Sequence, residues 1–166
     1  MRRRRLSRGS TVLEFALAGI PMMLAFVAIA EIGLVTWTYE SLGYASKEVG
    51  RYVAVHGTHC SGSNNCTLTV ANIATAAASN AIGLGSSQLE MTLTSPSVTY
   101  TCNPVSSCSS NTNQFPPTAD STVGTAFQVR LQYKVNPALT MVWAGAPSGS
   151  YGAYTLGAYS KQRVLF

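Results

Sequence analysis

The stretch of sequence that decides the fold is residues 10–39, which read STVLEFALAGIPMMLAFVAIAEIGLVTWTY. Every residue from Phe15 to Ala30 is apolar, a glycine or a proline, and apolar side chains resume after Glu31 and continue to Trp37. A helix needs roughly 20 such residues to cross a hydrocarbon core of about 30 Å. We therefore predict a transmembrane helix at residues 10–39.

The residues before this helix are strongly basic. Five of the eleven Lys and Arg side chains lie in the first eight positions: Arg2, Arg3, Arg4, Arg5 and Arg8. Positively charged flanks stay on the cytoplasmic side of a membrane helix. The predicted topology is a single pass with a cytoplasmic amino terminus, so residues 40–166 are exported.

Length and composition limit what the exported part holds. The chain has 166 residues, of which 10% are charged and 46% hydrophobic, and this leaves room for one small domain beside the membrane helix. After the leader, six basic side chains balance six acidic ones, and the basic ones are scattered along the chain: Lys47, Arg51, Arg130, Lys134, Lys161 and Arg163. They form no stripe that would follow a phosphate backbone. We predict no nucleic-acid partner.

The leader, residues 1–9, and the start of the helix form a candidate processing site. Gly9 precedes a candidate scissile bond and Ser10 follows it, while Glu14 and Phe15 stand fifth and sixth in the chain that cleavage would leave. A carboxylate in an apolar helix costs a few kcal/mol, so Glu14 is a candidate assembly residue. The other interpretation places Glu14 at the cytoplasmic interface, where its carboxylate reaches water.

This pattern resembles the cleavage site of prepilin-type proteins, in which a glycine precedes the cut and a glutamate occupies the fifth mature position. The resemblance implies a prepilin peptidase that cuts after Gly9. It also implies that the Glu14 carboxylate pairs with the freed amino group of a neighbouring subunit.

A second processing hypothesis is a secretory signal that ends at Ala28-Ile29-Ala30, a small-residue cleavage site. Cleavage there would leave Glu31 as the mature terminus of a soluble, disulfide-bonded binding or adhesion domain. The apolar and helical pattern, however, runs through this site to Trp37 and beyond, which favours the membrane anchor.

The helical pattern continues past the membrane. Apolar and aromatic residues recur at steps of three and four: Leu42, Ala45, Val49 and Tyr52. The charged residues of this segment lie off this stripe. The helix is therefore expected to extend to His56 with one face buried. Gly43 and Gly50 lie two turns apart, and they are candidates for close helix packing, either with a neighbouring helix or under the sheet of the same domain.

Residues 44–54, YASKEVGRYVA, follow a membrane start that reads EFALAGIP at residues 14–21. This combination resembles the TadE-like family over roughly residues 8–57, although an alanine is common in that family where Val49 or Gly50 stands. The resemblance implies a pseudopilin or minor pilin-like protein of a bacterial tight-adherence (Flp-type) pilus system. It implies an inner-membrane location, and as partners other pilin-like subunits, pilus-assembly proteins and the prepilin peptidase.

The exported part reads as one helix followed by strands. Thr67 or Thr69 is the predicted N-cap of this helix, and Gly83 or Gly85 is predicted to end it. Its apolar stripe consists of Val70, Ile73, Ala74, Ala77 and Ala81. Alternation predicts strands around Leu89 to Leu93 and Val98 to Cys102, a central strand from Phe127 to Val135, and a last strand within 154–166. Asn103 to Gly124 is predicted to be a long exposed loop. The predicted fold is pilin-like α+β, a long transmembrane helix that continues into a domain with a second helix and an antiparallel sheet of about four strands.

All four cysteines, Cys60, Cys66, Cys102 and Cys108, fall on the exported side, where thiols are oxidised. Three disulfide connectivities are possible. We favour Cys60 with Cys66 and Cys102 with Cys108, because each pair brackets a short Ser- and Asn-rich loop. His56 and His59 lie near the first pair, but structural zinc sites usually show paired ligands such as Cys-x-x-Cys. We therefore predict a disulfide-closed loop and no metal.

No catalytic pattern is present in the sequence. Glu90 and Asp120 are the only acids after Glu48, and the chain contains neither a Gly-x-Ser-x-Gly motif nor a glycine-rich phosphate loop. We expect no enzymatic activity and no cofactor.

Overall fold

The computed structural model describes residues 7–56, 68–136 and 154–165, with side chains from residue 12 onward. Two helices, α1 (Ser7–Ala54) and α2 (Val70–Asn80), precede four strands: β1 (Leu89–Thr94), β2 (Thr99–Cys102), β3 (Ala126–Val135) and β4 (Tyr154–Arg163). The strands form one antiparallel sheet in the order β2-β1-β3-β4. The predicted α+β fold is confirmed, and β3 is central as predicted.

α1 is continuous over 48 residues, through Pro21, and it changes character along its length. Apolar side chains are exposed as far as Trp37, and burial begins at Thr38. From there one stripe is fully buried: Leu42, Ala45, Val49 and Val53. The prediction was wrong at Tyr52, which is 36% exposed. The stripe continues at Val53 instead, because with 3.6 residues per turn the residue four positions after Val49 lies closer to the same face than the residue three positions after it.

α2 begins where the sequence predicts. The Thr69 hydroxyl accepts a hydrogen bond from the Asn72 amide at 3.3 Å, which satisfies one of the unpaired amides of the first turn. The helix ends at Asn80, and Gly83 follows with φ of +78°, a left-handed conformation that suits glycine. The face of α2 that carries Ile73 and Ala77 is buried.

The core lies between the helices and one face of the sheet. β1 and β3 supply its floor, since alternate residues point to the same side, and these side chains are all buried: Leu89, Met91, Leu93, Phe127, Val129 and Leu131. The domain formed by α2 and the sheet therefore shares its core with the second half of α1, from Thr38 to Ala54.

The segment from Asn103 to Gly124 differs from the prediction of an exposed loop. It contains two short 3-10 helices, Val105–Cys108 and Thr118–Asp120. Phe115 is fully buried, with its ring at an edge-to-face angle to Phe127 at 6.2 Å. The Ser- and Asn-rich composition of the segment hid this, because a single buried aromatic residue among polar ones produces no periodic apolar pattern.

Cys102 and Cys108 form a disulfide, as the local pairing predicts, and their Cα atoms lie 5.6 Å apart. Both side chains are buried in the core, so the bond fixes the start of the 103–124 segment under α2. Cys60 and Cys66 lie outside the described residues, and their pairing stays a prediction.

Candidate assembly site on the amino-terminal helix

The apolar half of α1, from Val12 to Trp37, presents its apolar side chains outward. α1 is long and apolar enough to cross a membrane, and none of its most apolar window is buried. The exposed side chains occur on every side of the helix: Val12, Leu13, Phe15, Leu17, Ile20, Met22, Met23, Phe26, Ile29, Ile32 and Leu34. A helix that is apolar all round is suited to a lipid or to a helical bundle.

Gly9 and Ser10 lie in the first turn of α1, since the helix begins at Ser7 rather than at the predicted Ser10. The first four amides of a helix have no partner within it. The peptide bond between Gly9 and Ser10 therefore lies where the helix opens most easily.

Glu14 and Phe15 are both exposed on this part of the helix. Phe15 is 80% exposed, and its ring extends over Gly19, one turn further on, where a Cβ atom would lie 4.0 Å from Phe15 Cε1. Glu14 has apolar neighbours along the chain in Leu13 and Phe15, so any subunit that packs here meets a carboxylate within an apolar surface.

Pro21 lies seven residues after Glu14, on the same face two turns away. Proline has no amide hydrogen, so the Leu17 carbonyl loses its usual helical donor. Beside it lies an apolar hollow of about 680 Å³, with these lining residues: Val12, Leu13, Ala16, Leu17, Ile20 and Pro21. Glu14, Pro21 and this apolar hollow thus lie within two turns of one helix.

The two candidate packing glycines have different environments. A Cβ atom at Gly50 would lie 2.8 Å from Ser160 Oγ and 3.2 Å from Gln162 Cγ, so Gly50 packs against β4 of its own domain. A Cβ atom at Gly43 would meet nothing within 4 Å. Gly43 instead borders an open cleft of about 500 Å³ between α1 and β4, which Tyr39 and other residues also line.

Residues 9–51 match the family model described as TadE-like protein. The amino-terminal helix is similar to that family. No curated protein and no solved structure matches the chain significantly. The match covers almost the whole of α1, including the exposed apolar part up to Trp37 and the stripe that packs under the sheet.

The TadE-like helix packs under one face of the sheet, and the opposite face is cationic. Arg130 and Lys134 alternate outward on β3, and Arg130 pairs across the sheet with Tyr159, so Lys161 and Arg163 of β4 share the same face. All four cations are exposed, and within the described residues none forms an ion pair. These four residues are scattered along the sequence but not in three dimensions, because the pairing of β3 with β4 brings distant positions together.

Asp120, for which the sequence pattern predicts no structural role, fixes the end of the domain remote from the apolar half of α1. Its carboxylate accepts hydrogen bonds from the Ser97 amide, at 2.8 Å, and from the Ser97 hydroxyl. These bonds, with a contribution from Ser95, hold the pKa of Asp120 below its ordinary value of 3.8. Asp120 therefore ties the 103–124 segment to the turn between β1 and β2.

His56 caps the end of the TadE-like helix. Its Nδ1 donates to the Tyr52 carbonyl oxygen at 2.6 Å, and the two rings lie 4.6 Å apart. Among the described residues no group of three His, Cys, Asp or Glu side chains is placed to hold a metal ion. His59, Cys60 and Cys66 lie outside those residues, so the prediction of no metal at that loop stays a prediction.

Proposed function

We propose that this protein is a single-pass inner-membrane pseudopilin or minor pilin that assembles or initiates a tight-adherence (Flp-type) pilus. The observation that carries the proposal is the TadE-like match over residues 9–51 on a helix whose apolar side chains are exposed as far as Trp37. Its role is structural: lateral packing of helices in the membrane and contacts of the domain outside it. No catalysis and no cofactor form part of the proposal.

A prepilin peptidase produces the mature subunit by hydrolysing the bond between Gly9 and Ser10. Water adds across that bond and leaves a carboxylate on Gly9 and an amino group on Ser10. The position of the bond in the first helical turn supports this step, because the unpaired amides of that turn let the backbone open without the loss of interior helical hydrogen bonds. The membrane half of α1 then begins with a protonated amine.

Glu14 pairs with the Ser10 amino group of a neighbouring subunit during assembly. The exposure of Glu14 and Phe15 on the apolar half of α1 supports this role. A carboxylate in that environment is stabilised by an opposite charge, and removing one partner of such an ion pair in a low dielectric is costly. The hollow beside Pro21 gives the neighbouring helix an apolar surface on the same side.

Amino-terminal sequencing of the mature protein tests the proposal. We expect the mature chain to begin at Ser10 and to depend on a prepilin peptidase. Gly9→Leu should accumulate uncleaved precursor, and Gly33→Leu is the matched control, because Gly33 lies in the same helix with open space around its Cβ position. A mature chain that keeps residues 1–9, or precursor in both variants alike, would contradict the proposal.

The alternative function is a soluble binding or adhesion domain released after Ala30. It requires a cut in the interior of α1, which is continuous from Ser7 to Ala54. An interior helical bond has both flanking turns hydrogen-bonded, and this favours the cut after Gly9. The same sequencing experiment separates the two, since the alternative predicts a mature chain that begins at Glu31.

A further inference from the structure

The domain has two turns of similar construction at opposite ends of its contact with α1. We define the proximal turn as residues 81–85 and the distal turn as residues 122–125. Each contains an exposed aliphatic residue directly before a glycine with positive φ. Ile82 is 59% exposed and precedes Gly83 at +78°, while Val123 is 61% exposed and precedes Gly124 at +90°.

The proximal turn is fixed to α1 at the end of its apolar half. The Ser41 hydroxyl donates to the Ile82 carbonyl oxygen at 2.9 Å. A Cβ atom at Gly83 would lie 3.4 Å from Trp37 Nε1. The turn thus lies beside Trp37, which is itself 60% exposed.

The distal turn lies beside the other end of α1. The Gly124 amide donates a hydrogen bond to the Val164 carbonyl oxygen at 2.9 Å. The amide of Leu165, which follows Val164, donates to the carbonyl oxygen of Ala54 in α1 at 2.9 Å. From Trp37 to Ala54 a helix rises by about 25 Å at 1.5 Å per residue. The two turns therefore lie at different heights along the axis of α1.

With the proposed membrane span, the proximal turn lies at the level of the membrane surface. From Val12 to Thr36 the helix is about 37 Å long at 1.5 Å per residue, enough for a hydrocarbon core of about 30 Å. Tryptophan side chains concentrate where the core meets the headgroups. Trp37, the last apolar residue of the stretch, then marks that boundary, and Ile82 lies next to it.

The surface at this point is suited to lipid. Trp37, Tyr44 and Ile82 line an open cavity of about 260 Å³ together with Glu40 and Ser41. Its apolar walls continue the apolar surface of the membrane half of α1 without a break, because Trp37 belongs to both. A lipid headgroup and the upper part of an acyl chain match this mixture of apolar walls and two polar groups.

We propose that the proximal turn is a second membrane contact, in which Ile82 enters the boundary between headgroups and acyl chains beside Trp37. This inference rests on the proposed membrane span. The contact holds the exported domain against the bilayer at one fixed orientation, since the domain then meets the membrane at the helix and at the turn. The occupant of the 260 Å³ cavity is lipid.

The test uses full-length protein that carries a single tryptophan, in vesicles of phosphatidylethanolamine and phosphatidylglycerol with or without brominated acyl chains. Trp37 and Trp143 are replaced by Phe, and one tryptophan is introduced as Ile82→Trp, Val123→Trp or Phe26→Trp. Ile82→Trp should lose emission in brominated lipid relative to the same lipid without bromine, as expected for a side chain that lies about 5–10 Å into the boundary. Phe26→Trp, within the span, should be quenched, and Val123→Trp should not.

The three variants separate the possible failures. Quenching of Phe26→Trp without quenching of Ile82→Trp would overturn the second contact and leave the span intact. Absence of quenching at Phe26→Trp would overturn the span and the contact together. A blue-shifted but unquenched Ile82→Trp would show that a second protein copy, and not lipid, covers the turn. Equal quenching of Ile82→Trp and Val123→Trp would also overturn the proposal, because it would mean that tryptophan itself draws either turn to the bilayer.

Discussion

At the scale of single residues, Glu14 carries a charge within the exposed apolar half of α1. We predict that Glu14→Gln leaves membrane level and processing near normal and abolishes surface pili. Glutamine keeps the size and hydrogen bonding but removes the charge, and each 1.4 kcal/mol lost from docking lowers the association constant about tenfold. Immunoblots of membrane fractions and counts of surface pili measure the two effects separately.

Glu48→Gln is the matched control, since Glu48 is an acid on the same helix, beyond Trp37, and its exposed ion pair with Arg51 contributes little. This variant should keep normal piliation. Full piliation in the Glu14→Gln strain at normal protein level would remove Glu14 from the assembly site and favour the interpretation that its carboxylate only reaches water.

Gly43 and Gly50 form a second residue-scale comparison, because they share a helix and differ in surroundings. Gly50→Leu should lower the free energy of unfolding by about 1–3 kcal/mol, the usual cost of overpacking, since Ser160 and Gln162 occupy the space. Gly43→Leu should be neutral or stabilising by up to about 1 kcal/mol from helix propensity. Thermal melts in detergent measure both. Equal melting temperatures for the two variants would contradict the packing of Gly50 on β4.

At the scale of elements, the 103–124 segment is held to the sheet at three kinds of contact. The Cys102–Cys108 disulfide fixes its start, the buried ring of Phe115 its middle, and Asp120 its end. The three contacts join the segment to β2, to Phe127 of β3 and to the turn between β1 and β2. The segment therefore covers one side of the core, although its composition is that of a loop.

We predict that Asp120 makes stability depend on pH. Its folded pKa is depressed, so its stabilisation is complete above the ordinary value near 4 and is lost as the pH falls below it. Asp120→Asn should cost about 1 kcal/mol at pH 6, as expected for weakened hydrogen bonds to a charged group. It should also show a smaller decrease in melting temperature between pH 5 and pH 3 than the wild type, and melts over that range measure this difference.

Glu48→Gln is the control for the Asp120 prediction. Glu48 forms an exposed ion pair with Arg51 at 3.3 Å, and such pairs contribute little. This variant should follow the wild-type pH dependence. An unchanged pH dependence in Asp120→Asn would mean that the Ser97 bonds do not stabilise the folded state.

At the scale of the whole molecule, the part of α1 beyond Trp37 and the domain formed by α2 and the sheet are not separable. Four fully buried core residues belong to α1: Leu42, Ala45, Val49 and Val53. The outer half of α1 is therefore part of the domain, and the sheet alone would leave an apolar face in water.

We predict that a secreted fragment of residues 37–166 folds cooperatively and that one of residues 55–166 does not. The shorter fragment loses two valines, a leucine and an alanine from the core, and burying each larger side chain is worth about 1.5–3 kcal/mol against a typical total stability of about 5–15 kcal/mol. Circular dichroism melts compare the two. A cooperative transition at the same temperature in both fragments would exclude α1 from the core.

Much of this protein is determined by its sequence alone. Period and composition are local properties, so the apolar run before Trp37, the helical stripe from Leu42 to Val49 and the alternation from Phe127 to Val135 indicate α1 and β3 directly. The candidate site at Gly9, Ser10 and Glu14 is also a local pattern, since its three residues lie within six positions of the sequence. Its role in assembly depends on a second subunit and stays a prediction.

Only the tertiary structure decides the features that depend on which distant segments meet. Gly50 packs against β4 of its own domain, whereas a Cβ atom at Gly43 would meet nothing within 4 Å. Phe115 is a core residue although its neighbours in sequence are polar. Arg130 and Lys161 share a cationic face because β3 pairs with β4 in one register. Contacts across long chain separations fix these properties, and no pattern within a short window of sequence encodes them.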